Sequence, residues 1–172
     1  KIVAQTLLKQ PLRQRAVLRY PGAKWRIADF ILRHMPQHHS YLEPFFGSGA
    51  VLFRKQPSAI ETVNDINGDI VNLFRVVQEQ ADVLADYVAG IPYARQVYEV
   101  SLHGNPTSSD VKRAARFLIL AWQSYGSRAD GKNCGWKKDV VGREAAYAVR
   151  CWNLLPGWIV AVSYTHLTLP TK

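Results

Sequence analysis

Acidic side chains are in short supply: 13 Asp and Glu stand against 22 Lys and Arg, for a formal net charge of +9 and a sequence pI near 9.8. Such a surface is poorly suited to basic partners and attracts polyanions, of which a duplex phosphate backbone is the commonest. A merely basic soluble protein has the same sum, so the location of the charge matters more than its total. Cysteine is almost absent. Cys134 and Cys151 form no Cys-x-x-Cys pair and have no histidine at metal-ligand spacing, which argues against a zinc site or a disulfide framework and suits a reducing cytoplasm. Long apolar runs are lacking too: the longest, Phe117 to Trp122, falls far short of the roughly 20 residues that cross a bilayer. The leader 1–17 is basic but has neither the continuous apolar run nor the small-residue cleavage site of a signal peptide. The first residue is Lys1 rather than Met, so the chain is expected to begin inside a longer reading frame. No internal repeat or low-complexity tract is visible.

What is present is a globular composition, 48% hydrophobic and 20% charged over 172 residues, enough for one core-bearing domain. Leu18-Arg19-Tyr20-Pro21-Gly22-Ala23-Lys24 is a turn-rich segment, and Trp25 opens an amphipathic helix to about Met35. Ser40 to Phe46 reads as a short buried strand. It runs into Gly47-Ser48-Gly49 and a helix from Ala50 to about Lys55. A second strand, Ile60 to Val63, ends at Asn64-Asp65-Ile66-Asn67, and Asp69 starts a long helix carrying Ile70, Leu73, Phe74, Val77 and Leu84 on one face. Strand, helix, strand, helix predicts an α/β fold with a parallel sheet and right-handed crossovers. After Gly90-Ile91-Pro92 the character changes. A loop from His103 to Ser109 precedes a helix from Asp110 to about Gln123, and Ser124 to Asp139 reads as a β-hairpin or ordered loop. From Asp110 to Arg150 nine basic residues face four acidic ones, so the positive charge concentrates here. A last helix spans Arg143 to Leu155.

A strand that ends in Gly-x-Gly and a helix would offer bare backbone amides and a helix N-terminus to a closely approaching ligand. Glycines at strand ends serve tight packing as often. Asp65, at the end of the next strand, strengthens the ligand reading because a carboxylate there can accept hydrogen bonds from both ribose hydroxyls of a nucleotide-like molecule. The plainer role for Asp65 is to cap the following helix, which Asn67 could also do. His34, His38 and His39 cluster near a helix end, where the helix dipole accounts for them.

Tyr20-Pro21-Gly22-Ala23-Lys24 resembles the Pro-Gly-Gly-Lys motif of Dam-type, phage-like DNA adenine methyltransferases. Glu43-Pro44-Phe45-Phe46-Gly47-Ser48-Gly49 resembles their Glu-Pro-Phe-x-Gly-x-Gly motif, and Asn64-Asp65-Ile66-Asn67 their acidic loop, in the same order and spacing. Ala23 replaces a usual second glycine. Gln123 to Ser127 and Gly135-Trp136-Lys137 are more loosely similar to the target-recognition region. The resemblance implies a Rossmann-like core that uses S-adenosyl-L-methionine to methylate the exocyclic amino group of adenine in double-stranded DNA. It implies that Tyr20 and Lys24 line the cofactor pocket and that the turn with Phe45, Gly47 and Gly49 surrounds the methionine moiety, with Asp65 on the ribose. Lys24 suits a carboxylate, either the cofactor's or that of Glu43; Tyr20 suits an adenine face or a sulfonium. The target base must be flipped out, onto an aromatic platform with acceptors for its amino group. The family's Asp-Pro-Pro-Tyr, which supplies these, is absent from the 172 residues. The chain is therefore expected to be truncated before that motif and inactive as it stands, with no catalytic residue of its own.

Arg128, Lys132 and Lys137 are candidate phosphate contacts, and Ser124, Tyr125, Arg128 and Asn133 candidate contacts to base edges; a solvated basic hairpin is the alternative for any one of them. The resulting division is a leader (1–17), the first part of the cofactor-binding core (18–90), an inserted recognition region (91–142) and a return to the core (143–160). Residues 161–172 resemble a translated sequencing adapter and are expected to be non-native. The expected protein is a monomer of bacterial or phage origin, cytoplasmic, with neither metal nor membrane. Two other readings stay open: a non-catalytic basic DNA-binding module, and a Rossmann methyltransferase acting on RNA or a small molecule. Membership of a restriction–modification system cannot be read from these residues.

Overall fold

The computed structural model describes residues 16–104, 109–127, 134–137 and 145–164, the last from 148 onward for side chains. Two four-residue strands, β1 (Ser40–Glu43) and β2 (Ile60–Val63), pair in parallel with Ser40 opposite Ile60 and Glu43 opposite Val63. The strand expected to be buried from Ser40 to Phe46 ends at Glu43 and is buried on one face only: Tyr41 and Glu43 turn inward while Ser40 and Leu42 are exposed. A mixed α/β chain with a small parallel sheet agrees with the sequence-based expectation in its coarse form.

The described residues also form α1 (Ala28–Arg33), α2 (Gly68–Glu79), α3 (Ala81–Ala89), α4 (Arg95–His103), α5 (Asp110–Gln123) and α6 (Ala145–Ser163), which pack mainly on one another. Helix α5 is the central post. Ala114, Ala115, Phe117, Leu118, Ile119, Leu120, Ala121 and Trp122 are all buried, because α2, α3 and α4 pack on it from different sides. Helix α6 lies chiefly along α3 and adds Trp152, Leu155, Trp158 and Ile159 to the same core. Two indoles lock distant segments: Trp122 Nε1 donates to Val17 O at 2.9 Å and Trp152 Nε1 to Ile91 O at 2.8 Å. Near the sheet, Phe46, Phe53 and Phe74 meet edge-on or tilted with centroids 4.8 to 5.8 Å apart. This aromatic cluster seats the loops after β1 on α2.

Three expected helix boundaries are corrected. The helix expected from Ala50 to Lys55 is a single 3-10 turn, Leu52–Arg54, because Gly49 enters at φ +68° and Lys55 leaves in extended conformation. Lys55 departs to bury its ammonium beside Glu61, with further bonds to Ser58 Oγ (2.8 Å) and Gln56 O (2.7 Å), and lies over the Tyr41 ring. The long helix expected through Leu84 breaks at Gln80 (φ −142°, ψ 39°). Gln80 still donates to Val76 O and accepts from Leu84 N, so the ladder is kept while α3 turns away to meet α6. The last helix passes Leu155 and Pro156 and reaches Ser163, with Ile159 and Val162 buried.

Candidate functional site

The ends of the two strands are fastened together. Asn64 N donates to Glu43 O and Phe46 N to Asn64 O, each at 2.9 Å, which brings the loops after β1 and β2 side by side at the carboxyl end of the sheet. In open α/β sheets this is where ligands bind. Gly47, at φ +52°, donates its N–H to Asp65 Oδ2 at 2.7 Å. Asp65 Oδ1 accepts from Asn67 N at 2.9 Å, and Asn67 Nδ2 reaches the Tyr20 hydroxyl at 3.3 Å. The Tyr20 ring lies across the turn, its Cδ1 3.7 Å from where a Cβ on Gly47 would stand. Tyr20, Gly47 and Asp65, separated by up to 45 positions of chain, thus meet as the sequence motifs imply, with Asn67 as an added member.

The chemistry of the turn differs from the expected one. Its amides are not bare: Gly47 N–H is bound to Asp65 and Gly49 N–H to Phe46 O at 2.9 Å. The glycines contribute conformation and close approach rather than free donors, and no helix N-terminus follows them. Asp65 uses one acceptor position of each oxygen, which leaves about two lone-pair sites for an outside donor. Ser48 Oγ is buried in the turn without a partner among the described residues. Two large apolar side chains flank the loops while turned to solvent, Phe45 at 83% and Ile66 at 94% exposure. Such neighbouring exposed hydrophobes are the kind of surface a flat ligand covers.

Glu43 sits on the inward face, accepting from the Tyr41 hydroxyl at 2.9 Å and from the Leu52 backbone N–H. Burial pushes its carboxyl above the usual carboxylate range, and those two hydrogen bonds pull in the opposite direction. Burial, and then the negative charge of Glu43, push the Tyr41 phenol upward. Lys24 does not pair with Glu43: its ammonium folds back onto Gly22 O at 2.8 Å and stays exposed.

The other expected site is only partly described; Arg128, Lys132 and Asn133 lie outside the described residues. What is described is an antiparallel bridge between Ser124 and Trp136, with Lys137 N donating to Gln123 O (2.7 Å) and Tyr125 N to Gly135 O (3.2 Å). Ser124, an expected base contact, is 2% exposed inside this bridge. Tyr125 is half exposed, and the backbone of Lys137 is held by the Tyr93 hydroxyl at 3.1 Å.

Sequence reading missed the Tyr41–Glu43 pair and the buried Lys55–Glu61 pair. The first was legible in principle, since residues two apart on a strand share a face. Among the described residues no three His, Cys, Asp or Glu side chains gather as a metal site, and no helix is long and apolar enough to cross a membrane.

Comparison with known proteins bears on the same region. The "DNA adenine methylase" of Salmonella typhi is 30% identical over 118 residues, covering 66% of this chain and 42% of that protein. The "DNA N-6-adenine-methyltransferase" of Escherichia phage P1 is 29% identical over 122 residues, 62% of this chain and 15% of its own length. The "DNA adenine methylase" of Haemophilus influenzae is 37% identical over 76 residues, 44% and 26% of the respective chains. The chain thus spans less than half the length of the curated relatives it matches. A family model for D12 class N6 adenine-specific DNA methyltransferases matches residues 20–125, a span that starts at Tyr20, takes in the glycine turn, Asp65 and α5, and ends where the bridge begins. With both strand-end loops and the central helix inside that match, this chain belongs to the D12 class of N6 adenine-specific DNA methyltransferases.

Proposed function

We propose that these residues form the cofactor-holding part, and some of the recognition region, of a site-specific adenine-N6 methyltransferase acting on double-stranded DNA. In this reading the core is Rossmann-like and residues 91–142 are the inserted recognition region. The observation that carries it is the set Tyr20, Gly47, Asp65 and Asn67 at the carboxyl end of parallel strands.

The residues suit S-adenosyl-L-methionine. Asp65 keeps lone pairs for a pair of hydroxyl donors, Ile66 and Phe45 offer apolar faces to an adenine, and the glycine turn lets a chain pass close beside the Tyr20 ring. When bound, the cofactor supplies an electrophilic methyl group on a sulfonium. Tyr20 presents its ring to cationic or flat groups, and Asp65 orients a ribose while its link to Gly47 keeps the turn open. Glu43, held by the Tyr41 hydroxyl and the Leu52 N–H, ends β1 just before the glycine turn and steadies the strand from which that turn leaves. Tyr125 and Lys137 face DNA in this account, by stacking or base contact and by phosphate neutralisation. Asp-Pro-Pro-Tyr does not occur among these 172 residues, and the reading assigns them binding and orientation rather than contact with the adenine amino group.

The test is calorimetric titration of the chain with S-adenosyl-L-methionine and its demethylated product. Binding that Asp65→Ala weakens by about a hundredfold, the loss of hydrogen bonds to a charged group, supports the reading. No binding by the wild-type chain, or binding indifferent to Asp65→Ala, refutes it.

A further inference from the structure

Asn67 has more bonds than a helix cap needs. Its Oδ1 accepts from Asp69 N at 2.9 Å, the N-cap bond of α2. Its backbone N–H holds Asp65 Oδ1, and its Nδ2 reaches the Tyr20 hydroxyl from 47 positions along the chain. The orientation of the amide is fixed by chemistry: Asp69 N–H can only donate, so the oxygen must face it and the NH2 must face Tyr20. The cap is anchored in turn, because Asp69 Oδ1 receives Arg113 Nε of α5 at 2.7 Å. Arg113 stands in the first turn of α5, whose later residues are buried, so this chain of bonds ends on a well-packed helix.

From this geometry we infer that Asn67 is a positioning residue, a strut that sets the separation between the Tyr20 ring and the Asp65 carboxylate, the slot that the proposed cofactor would enter. Capping alone would be served equally by serine, threonine or aspartate at this position. None of these carries a side-chain NH2 to reach Tyr20 while an oxygen caps the helix. Because Asn67 donates to the Tyr20 oxygen, that hydroxyl keeps its own proton for a ligand. The inference rests on the proposed cofactor reading of the slot and adds which residue determines its fit.

The experiment compares Asn67→Ser, Tyr20→Phe and the double variant for thermal midpoint in cofactor-free protein and for S-adenosyl-L-methionine affinity by calorimetry. Serine keeps the cap and lacks the NH2. The thermal midpoint of Asn67→Ser is expected to stay near wild type while affinity falls about fivefold, one neutral hydrogen bond's worth. In the Tyr20→Phe background the same substitution should cost almost nothing further, since its partner is already gone. Additive losses, or an Asn67→Ser affinity equal to wild type, overturn the inference and leave Asn67 a cap only, while the cofactor reading stands on the wild-type titration. A wild-type chain with no affinity sinks both. If Asn67→Ser lowers the thermal midpoint, Tyr20→Phe alone reads the bond from its other end without touching the cap, and no loss of affinity there overturns the inference.

Discussion

The loops at the end of the sheet and the turn between Gln123 and Lys137 both rely on positive-φ residues, yet they are held by different means. In the first, a side chain does the holding: Asp65 ties Gly47 across to Asn67, and an aromatic cluster closes beneath. In the second, main-chain bonds join Gln123 to Lys137 and Tyr125 to Gly135, with the Tyr93 hydroxyl adding one side-chain bond to Lys137 O and with Gly126, Ser127 and Gly135 at positive φ. A site built on side-chain bonds is specific and intolerant of change. A turn held mostly by main-chain bonds depends less on the identity of its side chains.

The same substitution on both sides gives the largest contrast. At Gly49 an alanine would be strained at φ +68° and would also meet the buried Phe53 ring and, at 2.6 Å, Phe46 Cζ. Strain and overpacking together should cost about 3 kcal/mol of unfolding free energy. At Gly135, φ +80°, the nearest atom outside its neighbours is Tyr125 Cδ2 at 3.8 Å, so strain acts alone and about 1 kcal/mol is expected. Urea unfolding of Gly49→Ala and Gly135→Ala checks this; equal losses would erase the distinction.

A pH series sharpens it next. Glu43 holds its proton to higher pH in the folded than in the unfolded chain, so the folded state binds more protons just above the usual carboxylate range. Stability therefore falls as pH rises through that window. Glu43→Gln should flatten the fall and raise the thermal midpoint at neutral pH; a midpoint curve parallel to wild type would refute the assignment. The smallest effect belongs to the other side. Lys137→Ala should weaken duplex binding a few-fold and lower the salt slope by about 1, with cofactor affinity unchanged, as read by titrations at several salt concentrations.

How much of this was legible in sequence follows from the range of the forces. The strands were, because short apolar runs and the turn residues that bound them are local, and the meeting of Tyr20, Gly47 and Asp65 was implied by motif order. The use of the glycine amides was not. Whether Gly47 N–H is bare or bound depends on where Asp65 lands, a three-dimensional fact that spacing does not encode. The helix expected after Gly49 failed for a similar reason: apolar spacing over Ala50 to Lys55 suits a helix, but the buried Lys55–Glu61 pair draws Lys55 out of it. Ser124 was a candidate base contact through the loose resemblance of Gln123 to Ser127 to a recognition region, and its burial within the bridge to Trp136 is a three-dimensional fact that the resemblance does not carry.

One feature of the fold links ligand and folding. The connection between the parallel strands, residues 44–59, contains the glycine turn and a single 3-10 turn, where crossovers usually contain a full helix. The segment that would cradle a ligand is therefore also the one whose closure brings β2 beside β1. A molecule bound there acts on the assembly of the sheet as much as on any reaction. At a concentration a hundred times its dissociation constant it would add roughly 2.7 kcal/mol to the folded state, provided the unfolded chain does not bind it. The supply of such a ligand would then govern how much of this chain is folded at any moment.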